Sequence, residues 1–502
     1  MQSASPKIVN GTTAAVRRKI EYVPFAREVE SSGGRDLRML EAEPKRPLRD
    51  LSEWGTVDID ALMLSIRSRI SIELSYALTT FTLLSTMKGS QPNSGFPLHQ
   101  ATDLLDEVID LLEDLAFGDE ADWFTPHSLD SDPAIPTMRQ MQDEVQNRDE
   151  FDPFSCLQPQ QGDKDRSAGP TQRPGNLILA IINLFRNLAY IPSNAEVLSR
   201  RPRILTLVLR ICSLDPTSKS LRPACSALSL QDLLSLRKDV LCLLGNLAPS
   251  VVFPADEVQA LGVAYRIFHL VASCLVDPSE AVHPTQITYP PKSKPPSLAD
   301  MALDVFSRIS LPDQSRRLFS KAVPRATLWR VMDSLTHRLP VVEADFNVML
   351  REQWIVYLER ILMSLYSIIF MASPEFKVKV KQDRALGFPM MMLRLVRRMS
   401  LANSALFNGQ QKNWFTISVR RAVETMKMVD TAADCFDVRQ TSTGPALSFG
   451  MGFGEGGDGA SERGNGILVG RMDVLWDVLT ARDVLEDEVI FGELESLARV
   501  ET

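Results

Sequence analysis

From Trp54 onward, apolar residues recur at helical spacing. Ile72, Tyr76, Thr79, Leu83 and Leu84 fall on one stripe of a 3.6-residue helix. Leu104, Leu105, Val108, Leu111, Leu112 and Leu115 make a second stripe, with Asp and Glu on the opposite face. Residues 1–50 are polar and basic with little periodicity, and read as an extended arm; 51–117 carry the first helical unit. The pattern lapses over 118–174, a stretch rich in Asp, Gln and Pro that holds too few aliphatic residues to offset its ordering entropy. That stretch is expected to be a disordered acidic insertion, except that Trp123 and Phe124 could dock on a neighbour or simply end the preceding helix. Helical spacing resumes over 175–440. A Gly-rich linker is expected at 441–468, followed by closing helices over 469–502.

The resumed pattern repeats. Leu184-Phe-Arg-Asn187-Leu-Ala189 has a counterpart 59 residues on, in Leu243-Leu-Gly-Asn246-Leu-Ala248. Weaker copies are Val305-Phe-Ser-Arg308-Ile-Ser310 and Leu365-Tyr-Ser-Ile368-Ile-Phe370, at spacings of 62 and 60. Each anchor precedes another amphipathic stretch, at Ile204–Cys212, Tyr265–Leu275, Thr327–Leu335 and Leu386–Met399. Leu83–Thr86 followed by Leu104–Leu112 fits the same template as a first copy. A fixed period of helical units indicates an α-solenoid, because one unit leaves an apolar face that only the next can cover. The expected fold is therefore all-α, an irregular armadillo/HEAT-like solenoid.

Charge changes this picture little. The chain carries a formal charge of -8, and residues 119–172 hold twelve Asp/Glu against four Lys/Arg, so the acidity belongs to the insertion. A nucleic-acid-binding chain would carry a basic footprint. Six cysteines without a C-x-x-C pair read as reduced core thiols. The longest apolar stretch, Trp354 to Ala372, is broken by Glu359 and Arg360 and reads as a buried helix, so no membrane partner is expected.

Candidate chemistry is sparse. Gly452-Phe-Gly454-Glu-Gly-Gly457 matches a dinucleotide fingerprint, but lacks the flanking strand and helix that would place a pyrophosphate. The five histidines lie apart from one another and from any cysteine at metal-ligand spacing. Asp103, Asp106, Glu107 and Asp110 read as a solvated helix face. The basic clusters at 200–203, 316–317, 377–381 and 394–398 read as solvated helix ends, the alternative being a basic strip for an acidic partner helix or nucleosomal DNA. Leu230-Gln-Asp-Leu233-Leu234 matches a partner-groove motif but reads as core. No catalytic residue, metal ligand or cofactor is expected.

Two resemblances sharpen the reading. Leu177 to Ala189, with Asn194 to Ser199 and Arg203 to Ile211, resembles successive helices of armadillo repeats, with Pro202 making the turn where a glycine is usual. Arg18 to Asp36, Asp50 to Leu62, Leu74 to Leu84 and Leu104 to Leu112 together resemble the C-terminal region of the ARID-bearing SWI/SNF subunit, the Osa family, in its fungal form. The resemblance implies a non-catalytic nuclear scaffold of an ATP-dependent remodeller, binding helical segments of other subunits including the ATPase. The ARID domain of that family has no counterpart in these residues, so direct DNA binding is not expected of this chain. Within this reading, Asn187 and Asn246 are candidate groove residues. Trp54, Trp354, Trp414 and Trp476 are structural anchors, and any exposed one is a partner-binding candidate. The alternative is an armadillo-type peptide-binding adaptor in nuclear transport or signalling, which calls for a continuous asparagine ladder.

Overall fold

Proline and serine punctuation sets where helices begin. In the computed structural model, helices start at Pro192, Pro202 and Pro374, where a missing N–H costs nothing and φ is already helical. Pro202 makes the turn expected of it. Ser229 closes a reciprocal capping box with Asp232: its Oγ accepts from the Asp232 amide at 3.1 Å, and its own amide donates to the Asp232 carboxylate at 2.9 Å.

The structure describes residues 57–87, 95–118, 135–151, 174–216, 220–287, 294–349, 351–405, 415–436, 472–485 and 487–497, with a few single positions beside them. The described helices belong to a unit running Ile59–Thr502. They are α1 (Ile59–Arg67), α2 (Ser71–Ser85), α3 (Thr102–Ala116), α4 (Met138–Phe151), α5 (Pro174–Ala189), α6 (Pro192–Ser199) and α7 (Pro202–Ile211). Next come α8 (Leu230–Leu247), α9 (Glu257–Leu275), α10 (Pro284–Ile287), α11 (Ser297–Ile309), α12 (Asp313–Ala322), α13 (Arg325–His337) and α14 (Glu343–Met349). The last are α15 (Glu352–Met371), α16 (Pro374–Gln382), α17 (Phe388–Ala405), α18 (Thr416–Thr431), α19 (Met472–Leu479), α20 (Arg482–Leu485) and α21 (Glu488–Ser496).

The fold is all-α and solenoid-like. Each repeated anchor sits at the C-terminal end of a long helix, α2, α5, α8, α11 or α15, and these pack one on the next, ending on α18. The amphipathic followers are α3, α7, α9, α13 and α17. Phe268, Phe306 and Phe319 show how neighbouring units lock. Their rings, from α9, α11 and α12, meet at 5.5–6.4 Å, in edge and tilted arrangements. Leu230, Leu233 and Leu234 are buried, so that motif is core. Helices α9 and α15 are long and apolar enough by composition to cross a membrane, but their apolar windows are 78% and 72% buried inside the fold.

Two expectations need correction. The first is the insertion: within 118–174 the structure describes α4 and its approach. Ile135, Met138, Met141 and Val145 are buried, at a spacing that forms one stripe, and α4 packs on α8. Four well-placed apolar residues are enough to dock a helix that is otherwise strongly polar. Of the two readings open for Phe124 the structure shows docking, against Tyr265 at 5.6 Å and over Gly262, where an added Cβ would lie 3.0 Å from the Phe124 ring. Trp123 and most other residues of the insertion lie outside the described residues. The second concerns the charges: the acidic face of α3 and the basic cluster at 200–203 pair with each other, Arg201 with Asp106 and Arg203 with Asp110 and Glu113.

Candidate partner-binding ridge

The stacked long helices leave one row of polar and soft side chains half-covered. Its members touch across successive helices. Asn187 Nδ2 lies 3.5 Å from Ser85 Oγ, joining α2 to α5, and donates to Asn183 Oδ1 at 3.0 Å. Arg186 pairs with Asp239, joining α5 to α8. Cys242 Sγ meets Met301 Sδ at 3.5 Å, joining α8 to α11. Arg360 binds Asp300 at 2.5 Å and Asp304 at 2.9 Å, joining α11 to α15. The long helices expose this line because each carries polar residues on one turn of an otherwise apolar surface.

The ridge is electrically self-neutralised. Arg186, Arg308 and Arg360 stand against Asp239, Asp300 and Asp304, and all six are in pairs. These half-exposed pairs are worth little individually, so they shape the surface more than they stabilise it. Burial pushes the Glu359 carboxyl up, against the pull of Arg360. A surface of amides, neutralised charges and thioether suits a partner that brings its own apolar and polar side chains. Among the described residues, no group of three or more His, Cys, Asp or Glu could hold a metal ion.

Asn187 belongs to this row, and Asn246 lies one helical turn beyond Cys242 on α8. Asn187 is half-buried and Asn246 is exposed, one in each of two neighbouring layers. The next two layers break the row. Arg308 is drawn to Asp304 at 3.1 Å, and Ile368 is fully buried. The tryptophans divide. Trp354 is 1% exposed and stacks edge-on against Tyr357 at 5.6 Å, as a core anchor. Trp476 is 55% exposed on α19. Trp54 and Trp414 lie outside the described residues. The structure does not bring Trp354 or Trp476 into contact with the asparagine pair.

The basic clusters are also accounted for within the fold. Arg316 is buried over the rings of Tyr366 and Phe370, and Lys377 donates to the Ala433 carbonyl at 2.6 Å. Lys381 binds Asp430 at 2.8 Å, and Arg397 binds Asp477 at 2.7 Å. The ridge residues that sequence reasoning missed are Arg186, Asp239, Asp300, Asp304 and Arg360. Their signal was a charge placed within an otherwise apolar anchor helix.

No protein-family model matches the chain. It is similar to the SWI/SNF chromatin-remodeling complex subunit sol1 of Schizosaccharomyces pombe. The two are 23% identical over 345 residues, covering 65% of this chain and 38% of that protein. The chain thus matches well under half of that relative's length.

Proposed function

We propose that this chain is a non-catalytic scaffold subunit of a SWI/SNF-type ATP-dependent chromatin-remodelling complex, working in the nucleus. The observation that carries the reading is the similarity to a SWI/SNF subunit across 345 residues of an all-helical array. Within it, the chain corresponds to an armadillo-like core of the Osa-type subunit, without a DNA-reading domain in these residues. Its ridge receives helical segments of other subunits, including the ATPase. The self-neutralised charge row supports a protein partner over a phosphate backbone, which would call for unpaired cations.

Two layers of asparagine favour a peptide-reading adaptor, but Arg308 and Ile368 supply no amide in the next two. A helix lying across the ridge needs no unbroken ladder. The test is affinity purification of the tagged chain followed by mass spectrometry. Recovery of remodeller subunits with their ATPase is the expected result. Recovery of importins without any remodeller ATPase refutes the reading.

A further inference from the structure

A cavity of about 490 Å³ opens between α7, α8 and α9, with Ile135 and Pro136 of the insertion forming part of its wall. That volume is in the range of small-molecule sites. Two of its groups are costly to leave as they stand. Arg237 is 6% exposed, and its Nε donates to the Cys212 carbonyl at 3.0 Å and its Nη1 to Ser273 Oγ at 3.4 Å. Among the described residues no carboxylate pairs with it. Buried guanidinium groups are ordinarily matched by an acid. His269 also lines the cavity. Its Nε2 is buried without a hydrogen-bond partner among the described residues, while its ring stacks on Tyr265 at 4.1 Å.

The neighbouring charges do not complete the site. Arg266 reaches the same cavity but binds Asp122 at 2.5 Å. Asp215 is the acid on the lining, on the loop after α7. Burial, with Arg237 and Arg330 nearby, pushes His269 down to about 4, so the imidazole is neutral near pH 7 and free to donate an N–H. Leu209, Leu270 and Ile135 give apolar walls.

We propose that this cavity binds a small organic acid: an apolar body against Leu209, Leu270 and Ile135, with one carboxylate or phosphate held by Arg237 and His269. Arginine facing an oxyanion gives short, charge-assisted hydrogen bonds, and a neutral imidazole adds one more donor. The site is independent of the ridge and of the remodeller reading.

Three probes test it on the full chain: benzoate, phenyl phosphate, and benzamide as the neutral counterpart of benzoate. Calorimetry should give saturable binding of at least one anion, about tenfold or more tighter than benzamide. Whether benzoate or phenyl phosphate binds better identifies the oxyanion. In histidine-labelled protein, NMR should show the His269 signal moving on binding while the other four histidines stay fixed, and its titration shifting upward from about 4. Arg237→Gln should abolish the preference for the anion. If that variant does not fold, His269→Phe, which keeps the ring on Tyr265, should weaken anion binding and leave benzamide unchanged. The proposal is overturned if neither anion binds more tightly than benzamide, or if binding leaves His269 unmoved.

Discussion

Asn194 offers the sharpest test of how the first two repeats are joined. It is fully buried at the start of α6, and its amide reaches back almost a hundred residues. Oδ1 accepts from the Leu98 amide at 3.1 Å, and Nδ2 donates to the Phe96 carbonyl at 2.9 Å. Asn194→Ala strips both partners and strands a buried N–H and a buried C=O. Each stranded group costs about 1–3 kcal/mol, and alanine's better helix propensity returns about 0.5 kcal/mol, for a net loss of roughly 1.5–5.5 kcal/mol. Asn194→Asp should also destabilise, because a carboxylate cannot donate to the Phe96 carbonyl. Urea unfolding gives the global loss. Hydrogen exchange read by mass spectrometry should show faster exchange at Leu98 and along α6, with the distant α15 and α18 less affected. Asn246→Ala is the control: its side chain is exposed, so its cost should stay within about 0.5 kcal/mol. If Asn194→Ala costs no more than Asn246→Ala, the reasoning from buried amide bridging is wrong.

Other perturbations follow from the same packing. Trp354→Ala should cost about 3–5 kcal/mol, whereas Trp476→Ala should leave the melting temperature nearly unchanged, as thermal unfolding will show. Removing 118–174 takes away buried Phe124, Ile135, Met138, Met141 and Val145, so it should lower the melting temperature, measured against the full chain. Glu424 sits buried against Arg421 at 2.8 Å, and desolvation lifts it to about 7 from 4.5 despite that arginine. The folded state therefore holds its proton more tightly than the unfolded state does. Its contribution to stability is fullest below about pH 4.5 and is lost as pH rises to about 7, by on the order of 3 kcal/mol. Glu424→Gln should remove that slope, read as the difference between wild-type and variant denaturation profiles across the window.

Much of the array was legible because its signal is local. The four anchors from Leu184, Leu243, Val305 and Leu365 each fall at the end of a long helix, since a leucine-rich turn that must face both neighbours leaves a recognisable string. Helix α4 was not legible as an element: its four docking residues are diluted among Gln, Asp and Arg, and only α8 beneath them makes their spacing meaningful. The same limit hid the ion pairs between α3 and the turn at Arg201 and Arg203. An acidic face and a basic cluster about ninety residues apart look solvated until the fold sets one on the other. Asn187 and Asn246 stand out in the sequence because they recur at one period. Arg360 stands at the same register as Asp300, each five residues before its anchor, but a charge that changes sign between copies does not read as a repeat.

The central claim is that the ridge of stacked long helices is where other subunits of a remodeller dock. The direct measurement is quantitative affinity purification of the tagged chain carrying Asn187→Arg and Asn246→Arg, beside wild type and a control at an exposed residue off the ridge, Lys321→Ala, with circular dichroism confirming that each variant folds. The account predicts that the ridge variant keeps a wild-type circular dichroism spectrum but loses most of the remodeller ATPase that the wild type recovers. Undiminished recovery of the ATPase by the folded ridge variant would contradict it.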